Sequence, residues 1–527
     1  MSRQLFKATA IVSSMTLISR VLGFVRDMLI ARVFGVDVAT DAFFVAFQMP
    51  NFLRRLFTEG AFAHAFIPLL ADYKEQGNVV AVKNFIDRSA GSLALLLALL
   101  SLSGIIAAPV LIVVLAPGFA WHGTQHELSV RMLQITFPYL FFIGLVALAG
   151  GILNTYNKFA VPALTPVFLN ICMIAAAIWL APLLDEPIVA LAWGVFAAGV
   201  VQLIFQVPAL LSLGLMPRCR LDFQDTQVKK LFKQLLPAIF SGSITQINLL
   251  LDSLIASFLS AGSVSWLYYS DRLVEFPLGI LGLALGTAIL PNLAKHHAAD
   301  DAAGFSNALD WGLRLALLIG MPATIGLLLL AEPMLSTLFQ YKEFSVEDVR
   351  LSAMSLRAYS VGLLAYLLIK VLVPGFSSRQ DMQTPVRFGV YAMLVSLALN
   401  VVLVFPLAHA GLALATSLGA FFNAILLLKK LRQEKIYQTN KGWWLFFLRV
   451  TLASATMSAA LYYWVDVNWW NNWSASLRVI HLLKWIGIGM AIYVATLMAT
   501  GLKVEHLLVK KTCICEITPP PFSKGEV

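Results

Sequence analysis

Apolar stretches of about twenty residues follow one another along the whole chain, and short polar segments separate them. A helix needs about twenty apolar residues to cross the hydrocarbon core of a bilayer. Each stretch therefore predicts a membrane-spanning helix. The fourteen predicted spans lie near residues 8–31, 41–70, 88–116, 130–153, 163–181, 188–212, 234–258, 264–293, 311–331, 352–374, 387–405, 411–428, 443–465 and 478–501.

The composition agrees with this pattern. The chain has 527 residues, of which 59% are hydrophobic and 13% are charged, and its mean hydropathy is +0.81. A soluble core of this size cannot hold so much apolar surface. The first apolar stretch contains Arg20 and Arg26 and lacks a small-residue cleavage site, so we expect a retained span rather than a signal peptide. The sequence predicts an all-α integral membrane protein.

Basic residues are distributed very unevenly among the polar connections. One alternating set of connections, which includes both termini, holds 23 Lys and Arg residues, and the other set holds Arg32, Lys342 and Arg350 alone. The positive-inside rule then predicts that both termini are cytoplasmic. Because the basic residues lie in these short connections, the net charge of +10 does not indicate a nucleic-acid partner.

Weak internal matches recur at an offset near 223 residues. Residues 65–71 match residues 288–294, and Asp27 matches Asp252. Since the offset covers six spans, both copies enter the membrane from the same side and form a parallel repeat, with the substrate site expected between them. The predicted organisation is a six-helix half at 1–215, a second at 216–435, two additional helices at 436–505 and a disordered cytoplasmic tail at 506–527.

Ionisable residues concentrate in the first two helices of each predicted half. They are Arg20, Arg26, Asp27, Asp41, Arg54, Arg55, Glu59, Asp252, Asp271, Arg272 and Glu275. An unpaired charge in the hydrocarbon costs about 2.5–3.5 kcal/mol on insertion scales, so these side chains should face a protein interior or a wet cavity. Helical spacing places Arg20 and Asp27 on one stripe, with Ser19 and Arg26 beside it.

Two interpretations of these charges remain open. In one they form internal ion pairs and caps, such as Arg55 with Glu59, or Asp41 at a helix start. In the other they line a central cavity whose arginines bind an anion, because the planar guanidinium grips phosphate through two hydrogen bonds. The helices hold five basic and six acidic residues, so the net charge does not decide between them.

Several long strings resemble one family of membrane proteins. They are residues 13–27 (SSMTLISRVLGFVRD), 40–44 (TDAFF), 50–57 (PNFLRRLF), 59–62 (EGAF), 263–269 (SVSWLYY) and 271–277 (DRLVEFP). These strings are similar to the MurJ/MviN family, part of the multidrug/oligosaccharidyl-lipid/polysaccharide exporter superfamily. The likeness extends from about residue 5 to residue 505.

The resemblance implies a flippase of the bacterial cytoplasmic (inner) membrane. Family members move lipid II, the undecaprenyl-diphosphate-linked peptidoglycan precursor, to the periplasmic leaflet, and their last two helices form a groove for its tail. The residues that the resemblance and the helical stripes propose for substrate binding are Arg20, Arg26, Arg54, Arg272, Ser19 and Asp27. The acids proposed for gating or pairing are Asp41, Glu59 and Glu275.

Energy is expected to come from the membrane potential or from a coupled cation, Na⁺ or H⁺. Asp252 is the candidate for that cation because it is an intramembrane acid with no basic residue within a helical turn. The sequence contains no Walker loop, nucleophile elbow or HExxH motif. We therefore expect no cofactor, no metal site and no enzymatic activity.

Three rival functions are considered. A multidrug or polysaccharide-lipid exporter of the same superfamily would bind another substrate. A membrane-embedded glycan ligase would need a large extracytoplasmic loop, whereas the longest here has about twenty residues. A non-transporting scaffold would bind cell-wall enzymes and tolerate loss of the cavity charges. The expected partners of the flippase are lipid II, membrane lipids and cell-wall synthesis proteins.

Overall fold

The computed structural model describes residues 3–59, 61–121, 123–222, 224–466, 470 and 473–501, and in these ranges it is helical with no strand. The predicted tail at 506–527 lies outside them. The first nine α-helices are α1 (Arg3–Phe34), α2 (Val38–Glu59), α3 (Ala61–Glu75), α4 (Val79–Leu115), α5 (Gly123–Thr136), α6 (Tyr139–Thr155), α7 (Ala160–Leu164), α8 (Val167–Ala175) and α9 (Val189–Ser212).

The second part of the chain continues the same pattern with longer helices. They are α10 (Thr226–Ala256), α11 (Ser263–Ala298), α12 (Ala302–Leu329), α13 (Ala331–Leu338), α14 (Val346–Ser377), α15 (Gln383–Gln433), α16 (Trp443–Trp464) and α17 (Ala475–Ala499). A π-helical turn, Ala176–Leu180, and two short 3₁₀ segments, Pro117–Trp121 and Ala181–Leu183, complete the described elements.

Polar side chains in the connections determine where several helices begin. Asn78 accepts a hydrogen bond from the backbone N–H of Ala81 at the start of α4 (3.0 Å). Asp225 does the same for two N–H groups of α10, and Ser345 forms a reciprocal capping box with Asp348 at α14. Such caps satisfy backbone donors that have no partner inside the helix.

Within the described residues, ten helices are long and apolar enough to cross a membrane. One of them, α15, has 51 residues and would be about 76 Å long if straight, more than twice the bilayer core. Ala408 (φ 47°, ψ −129°) breaks it, so α15 can supply two crossings. The charged helices α1, α2 and α10 are not among the ten. The multi-pass all-α fold is confirmed, whereas the count of fourteen stays a prediction.

Helix packing places α1 and α2 opposite α11 across the middle of the molecule. In the first part, α1 packs on α8, α2 on α5 and α6, and α6 on α9. In the second part, α11, α12 and α15 all pack on α14. The last two helices pack against each other and against α12 and α13. Because α10 also contacts α3 and α4, the two predicted halves interlock, and their boundaries at 215 and 435 stay predictions.

Candidate substrate cavity

A polar cavity of about 1230 Å³ lies between α1, α2 and α8 on one side and α11 and α14 on the other. Its wall extends along α11 from Arg272 to Pro291 and along α1 from Asp27 back to Thr16. The described charged residues of the lining are Arg20, Arg26, Asp27, Arg54, Arg55, Arg272, Glu275 and Lys370. The charged residues predicted in α1, α2 and α11 therefore share one cavity, whereas no described residue of α10 lines it.

Arg26 and Asp27 form the buried centre of one wall. Nη2 of Arg26 lies 2.7 Å from Oδ1 of Asp27, and Nη1 donates to Oδ1 of Asn170 (3.1 Å). Tyr268, from the opposite wall, donates its hydroxyl to Asp27 (3.0 Å) and accepts from Arg26 (3.2 Å). The ion-pair interpretation thus holds for Arg26, since its donors are largely occupied.

Arg272 continues this network along α11. Its Nε lies 3.5 Å from Oδ2 of Asp27, and its Nη1 donates to Oε2 of Glu275 (2.6 Å). The guanidinium also lies over the ring of Tyr268, 4.8 Å from the centroid. Since Arg55 is 3.7 Å from the other oxygen of Glu275, one carboxylate serves two arginines from opposite walls.

The remaining proposed residues lie around this network. Arg20 is exposed to the cavity, and the backbone carbonyl of Ser19 accepts a hydrogen bond from Asn170 (3.0 Å). Arg54 donates to Oδ1 of Asn51 through Nε (3.2 Å) and Nη2 (3.0 Å). The side chain of Glu59 lies outside the described part of the chain, so its proposed pairing with Arg55 stays a prediction.

The charged residues that line the cavity differ in balance from the charged residues counted over the whole helices. Among the described lining residues, six are basic and two are acidic. Asp41 is not among them, and Asp252 and Asp271 line a smaller adjoining pocket that shares Arg55 and Arg272 with this cavity. Both acids of the lining are engaged by arginines. The cavity therefore favours an anionic ligand.

Sequence reasoning missed Lys370 and Asn170. Lys370 is an intramembrane lysine in the span predicted at 352–374, and such a residue is itself a functional signal. Lys370 lies outside the first two helices of each predicted half, where most of the intramembrane charges are concentrated. Asn170 is uncharged, and nothing in its sequence surroundings separates it from other polar residues of a span.

Asp41 lies away from the cavity and joins the two parts of the molecule. Its carboxylate accepts from the backbone N–H groups of Gly262 (2.7 Å) and Ser265 (2.8 Å) and from the hydroxyl of Ser265 (2.5 Å). The expectation that Asp41 caps its own helix is therefore wrong. It caps the start of α11, and Asp37 caps α2 through the N–H of Thr40 (2.8 Å).

Further contacts close the molecule on the side of Asp41. Gly118 donates its N–H to the hydroxyl of Ser257 (3.1 Å). Gly35 (φ +63°) approaches Glu343 so closely that a Cβ would lie 2.6 Å from its carbonyl oxygen. Only glycine combines this backbone angle with this approach. These contacts join the two parts of the molecule at this end, and the lining of the cavity continues toward the other.

Asp252 lies in α10, lines the smaller adjoining pocket and has three polar partners. Its oxygens accept from Nδ2 of Asn400 (2.8 Å), the hydroxyl of Thr416 (3.0 Å) and Nδ2 of Asn248 (3.3 Å). The lack of an obvious partner in sequence was misleading, because two of the three partners come from α15. No ion pair of Asp252 occurs among the described residues.

Comparison with known proteins identifies the family. The family described as lipid II flippase MurJ matches residues 30–484. A probable lipid II flippase MurJ of Vibrio cholerae is 45% identical over 515 residues, covering 96% of this chain and 98% of the relative. The chain belongs to the MurJ family. A MurJ lipid II flippase of Burkholderia cenocepacia is 41% identical and covers 95% and 98% of the two chains.

Solved structures agree with the family assignment. A lipid II flippase MurJ in an inward closed conformation superimposes with a TM-score of 0.78 at 25% identity, over 92% of this chain and 97% of that one. An inward-facing multidrug transporter of the MATE family superimposes with a TM-score of 0.65 at 15% identity, over 81% and 98%. The second likeness shows a shared fold alone. MurJ membership makes this chain a multi-pass protein of a bacterial inner membrane.

Proposed function

We propose that this chain flips lipid II from the cytoplasmic to the periplasmic leaflet by alternating access through the central cavity. The observation that carries the proposal is the excess of basic over acidic side chains in the cavity of a MurJ-family chain. Lipid II has a diphosphate head group, and guanidinium groups bind phosphate oxygens through paired hydrogen bonds. The chain is a transporter, not an enzyme.

The head group and the lipid tail would follow different routes. Diphosphate and sugars are costly to desolvate in hydrocarbon, so they pass through the polar cavity. The polyprenyl tail is apolar and remains in lipid, guided by the surface of α16 and α17. Exposed apolar residues on these two helices, such as Leu448 and Leu483, provide such a surface.

The excess of basic residues in one set of connections supports an orientation with both termini in the cytoplasm. The closed end at Asp41 then faces the periplasm. The lining that extends toward Pro291 and Thr16 then leads to the cytoplasmic side. In this state the arginines receive lipid II from the leaflet in which it is made. Release requires the contacts of Asp41 with α11 to break.

Transport would be driven by the membrane potential or by a cation, Na⁺ or H⁺, bound at Asp252. Three residues bring oxygen atoms to this point: the carboxylate of Asp252, the hydroxyl of Thr416 and the side-chain amide of Asn400. Oδ1 of Asn400 is buried without a hydrogen-bond partner among the described residues. A rotated amide would turn that oxygen toward the carboxylate, and hard cations prefer such oxygen ligands.

The test of the flippase proposal is a transport measurement. Purified protein is reconstituted into vesicles with lipid II, and the fraction of lipid II that becomes accessible on the opposite leaflet is followed in time. We expect faster exchange than in vesicles without the protein. In cells depleted of the protein, we expect lipid II to stay in the cytoplasmic leaflet. Equal exchange in both kinds of vesicle would contradict the proposal.

The main alternative is export of a cationic drug or of a polysaccharide lipid. The basic cavity opposes cationic drugs. A polysaccharide lipid shares the diphosphate chemistry, so competition between it and lipid II for binding separates these two substrates. Cell-wall synthesis proteins remain candidate partners, which copurification from cells would detect.

A further inference from the structure

The side chain of Arg20 extends across the cavity and lies against the backbone of Gly279 on the opposite wall. A Cβ built at Gly279 would overlap Nη1 of Arg20 and would lie 2.7 Å from its Cζ and 3.2 Å from Nη2. The guanidinium therefore occupies the space that any side chain at position 279 would fill. Since Arg20 belongs to α1 and Gly279 to α11, this contact joins the two walls.

The guanidinium of Arg20 also has a negative charge in its surroundings, the carboxylate of Glu275. Gly279 follows Glu275 by four residues, so the two positions are neighbours on one face of α11. Glu275 interacts electrostatically with Arg20 as well as with Arg272 and Arg55. The carboxylate of Glu275 thus attracts three positive charges and offsets part of their mutual repulsion. A side chain at position 279 would displace Arg20 from this arrangement.

We propose that Gly279 is a positioning residue for substrate binding. Because Gly279 has no side chain, the Arg20 guanidinium fits beside Glu275. Arg20 and Arg272, from opposite walls, then form one anion-binding surface for the diphosphate. This inference rests on the proposed function, because it takes Arg20 to be a substrate ligand.

A helix outside the cavity supplies a matched control. Gly389 lies in the interior of α15 and is not among the residues that line the cavity. A Cβ at Gly389 would meet no atom of the described chain within 4 Å. Alanine at either position should favour the helix, by about 1 kcal/mol in the interior. At Gly279 the group that must move is the flexible end of Arg20, so the fold should tolerate the change.

The experiment measures lipid II binding to the purified full chain, with Gly279→Ala, Gly389→Ala, Arg20→Ala and the double variant Arg20→Ala/Gly279→Ala. Loss of one charge-assisted hydrogen bond corresponds to about tenfold weaker binding or more. We expect that loss for Gly279→Ala and Arg20→Ala, and unchanged binding for Gly389→Ala. The double variant should bind as weakly as Arg20→Ala alone, because Gly279 acts through Arg20.

The outcomes separate this inference from the proposed function. Normal binding by Gly279→Ala, with weak binding by Arg20→Ala, overturns the positioning role and leaves the flippase intact. A further loss in the double variant also overturns it, since Gly279 would then act independently. Normal binding by Arg20→Ala removes the substrate role of Arg20, and the inference falls with it. If Gly279→Ala does not purify, Gly279→Ser places its Cβ in the same position, and normal binding by that variant overturns the inference.

Discussion

The carboxylate of Asp41 accepts three hydrogen bonds from the start of α11, although Asp41 itself belongs to α2. The first N–H groups of a helix have no partner inside it, and a negative charge is favourable there. Asp41 is 2% exposed, so water cannot replace these bonds while the two elements stay together. One residue thus stabilises the closed end of the cavity.

Asp41→Ala should open that end more often, because the buried N–H groups of Gly262 and Ser265 lose their acceptor at a cost of about 1–3 kcal/mol. Val36, which lies beside Gly262, is replaced by cysteine to report the opening. A membrane-impermeant maleimide should label this cysteine several-fold faster in Asp41→Ala. Asp37→Ala, which removes the cap at the start of α2, is the control. Equal labelling rates in all variants would refute the role of Asp41.

The cavity arginines make a second prediction at this scale. Arg20→Ala, Arg26→Ala and Arg272→Ala should each abolish complementation of a depletion strain while the protein still inserts. Each loses a charge-assisted phosphate contact or its support, about 1.5–3 kcal/mol. Lys should restore little, since it lacks the planar fork. Arg131→Ala, at an exposed ion pair with Glu186, is the matched control. Normal growth of all three cavity variants would contradict the anion-binding role.

At the scale of elements, Asp310 connects α12 to the start of α16. Its carboxylate, 3% exposed as a residue, accepts from Nε1 of Trp443 (2.6 Å), the hydroxyl of Tyr437 (2.9 Å) and Nε of Arg314 (2.8 Å). Arg314 in turn lies over the ring of Trp443. Buried polar groups that are fully paired hold elements in one arrangement, and here they hold the proposed tail-binding helices on the transporter core.

Asp310→Ala should therefore destabilise the docking of α16. Three buried donors lose a common acceptor, which costs about 3 kcal/mol and lowers the thermal midpoint of the purified protein by several degrees. Asp310→Asn keeps an acceptor for Trp443 and should lower the midpoint less. Asp185→Ala, at an exposed bend without a positive φ, controls for loss of charge. A midpoint unchanged in Asp310→Ala would show that apolar packing alone holds α16.

At the scale of the whole molecule, transport depends on the relative stability of inward and outward states. A cation that crosses the full membrane field contributes about 2.3 kcal/mol per charge per 100 mV. A bias of that size changes the ratio of two states more than tenfold. A cation bound at Asp252 would give the chain this bias, and α10 and α15 would feel its binding directly.

Asp252→Asn should preserve folding and lipid II binding but weaken the dependence of transport on ions or voltage. The amide can still bond Asn400 and Thr416, whereas it cannot neutralise a cation. Flipping is measured in vesicles with imposed ion gradients and potentials, with Asp27→Asn as a comparison at the matching position of the repeat. An ion and voltage dependence equal to that of the unchanged protein would leave Asp252 a packing residue only.

The amino-acid sequence by itself determined the fold class and the family. Hydrophobicity and span length are local properties, so the helices could be predicted without knowing how they pack. The strings at 13–27 and 271–277 indicate the family without knowledge of any tertiary contact. The charged residues of α1, α2 and α11 do line one cavity, as their concentration in these helices indicated.

Only the tertiary structure determined which partners each charged side chain has. Asp27, Asp41 and Asp252 look alike in sequence, yet one pairs with arginines, one caps α11 and one is held by α15. Their partners are more than a hundred residues away in most cases. Such pairings depend on how helices cross, which no local pattern encodes. For the same reason the contact between Arg20 and Gly279 could not be predicted from the sequence. That contact exists because glycine has no side chain.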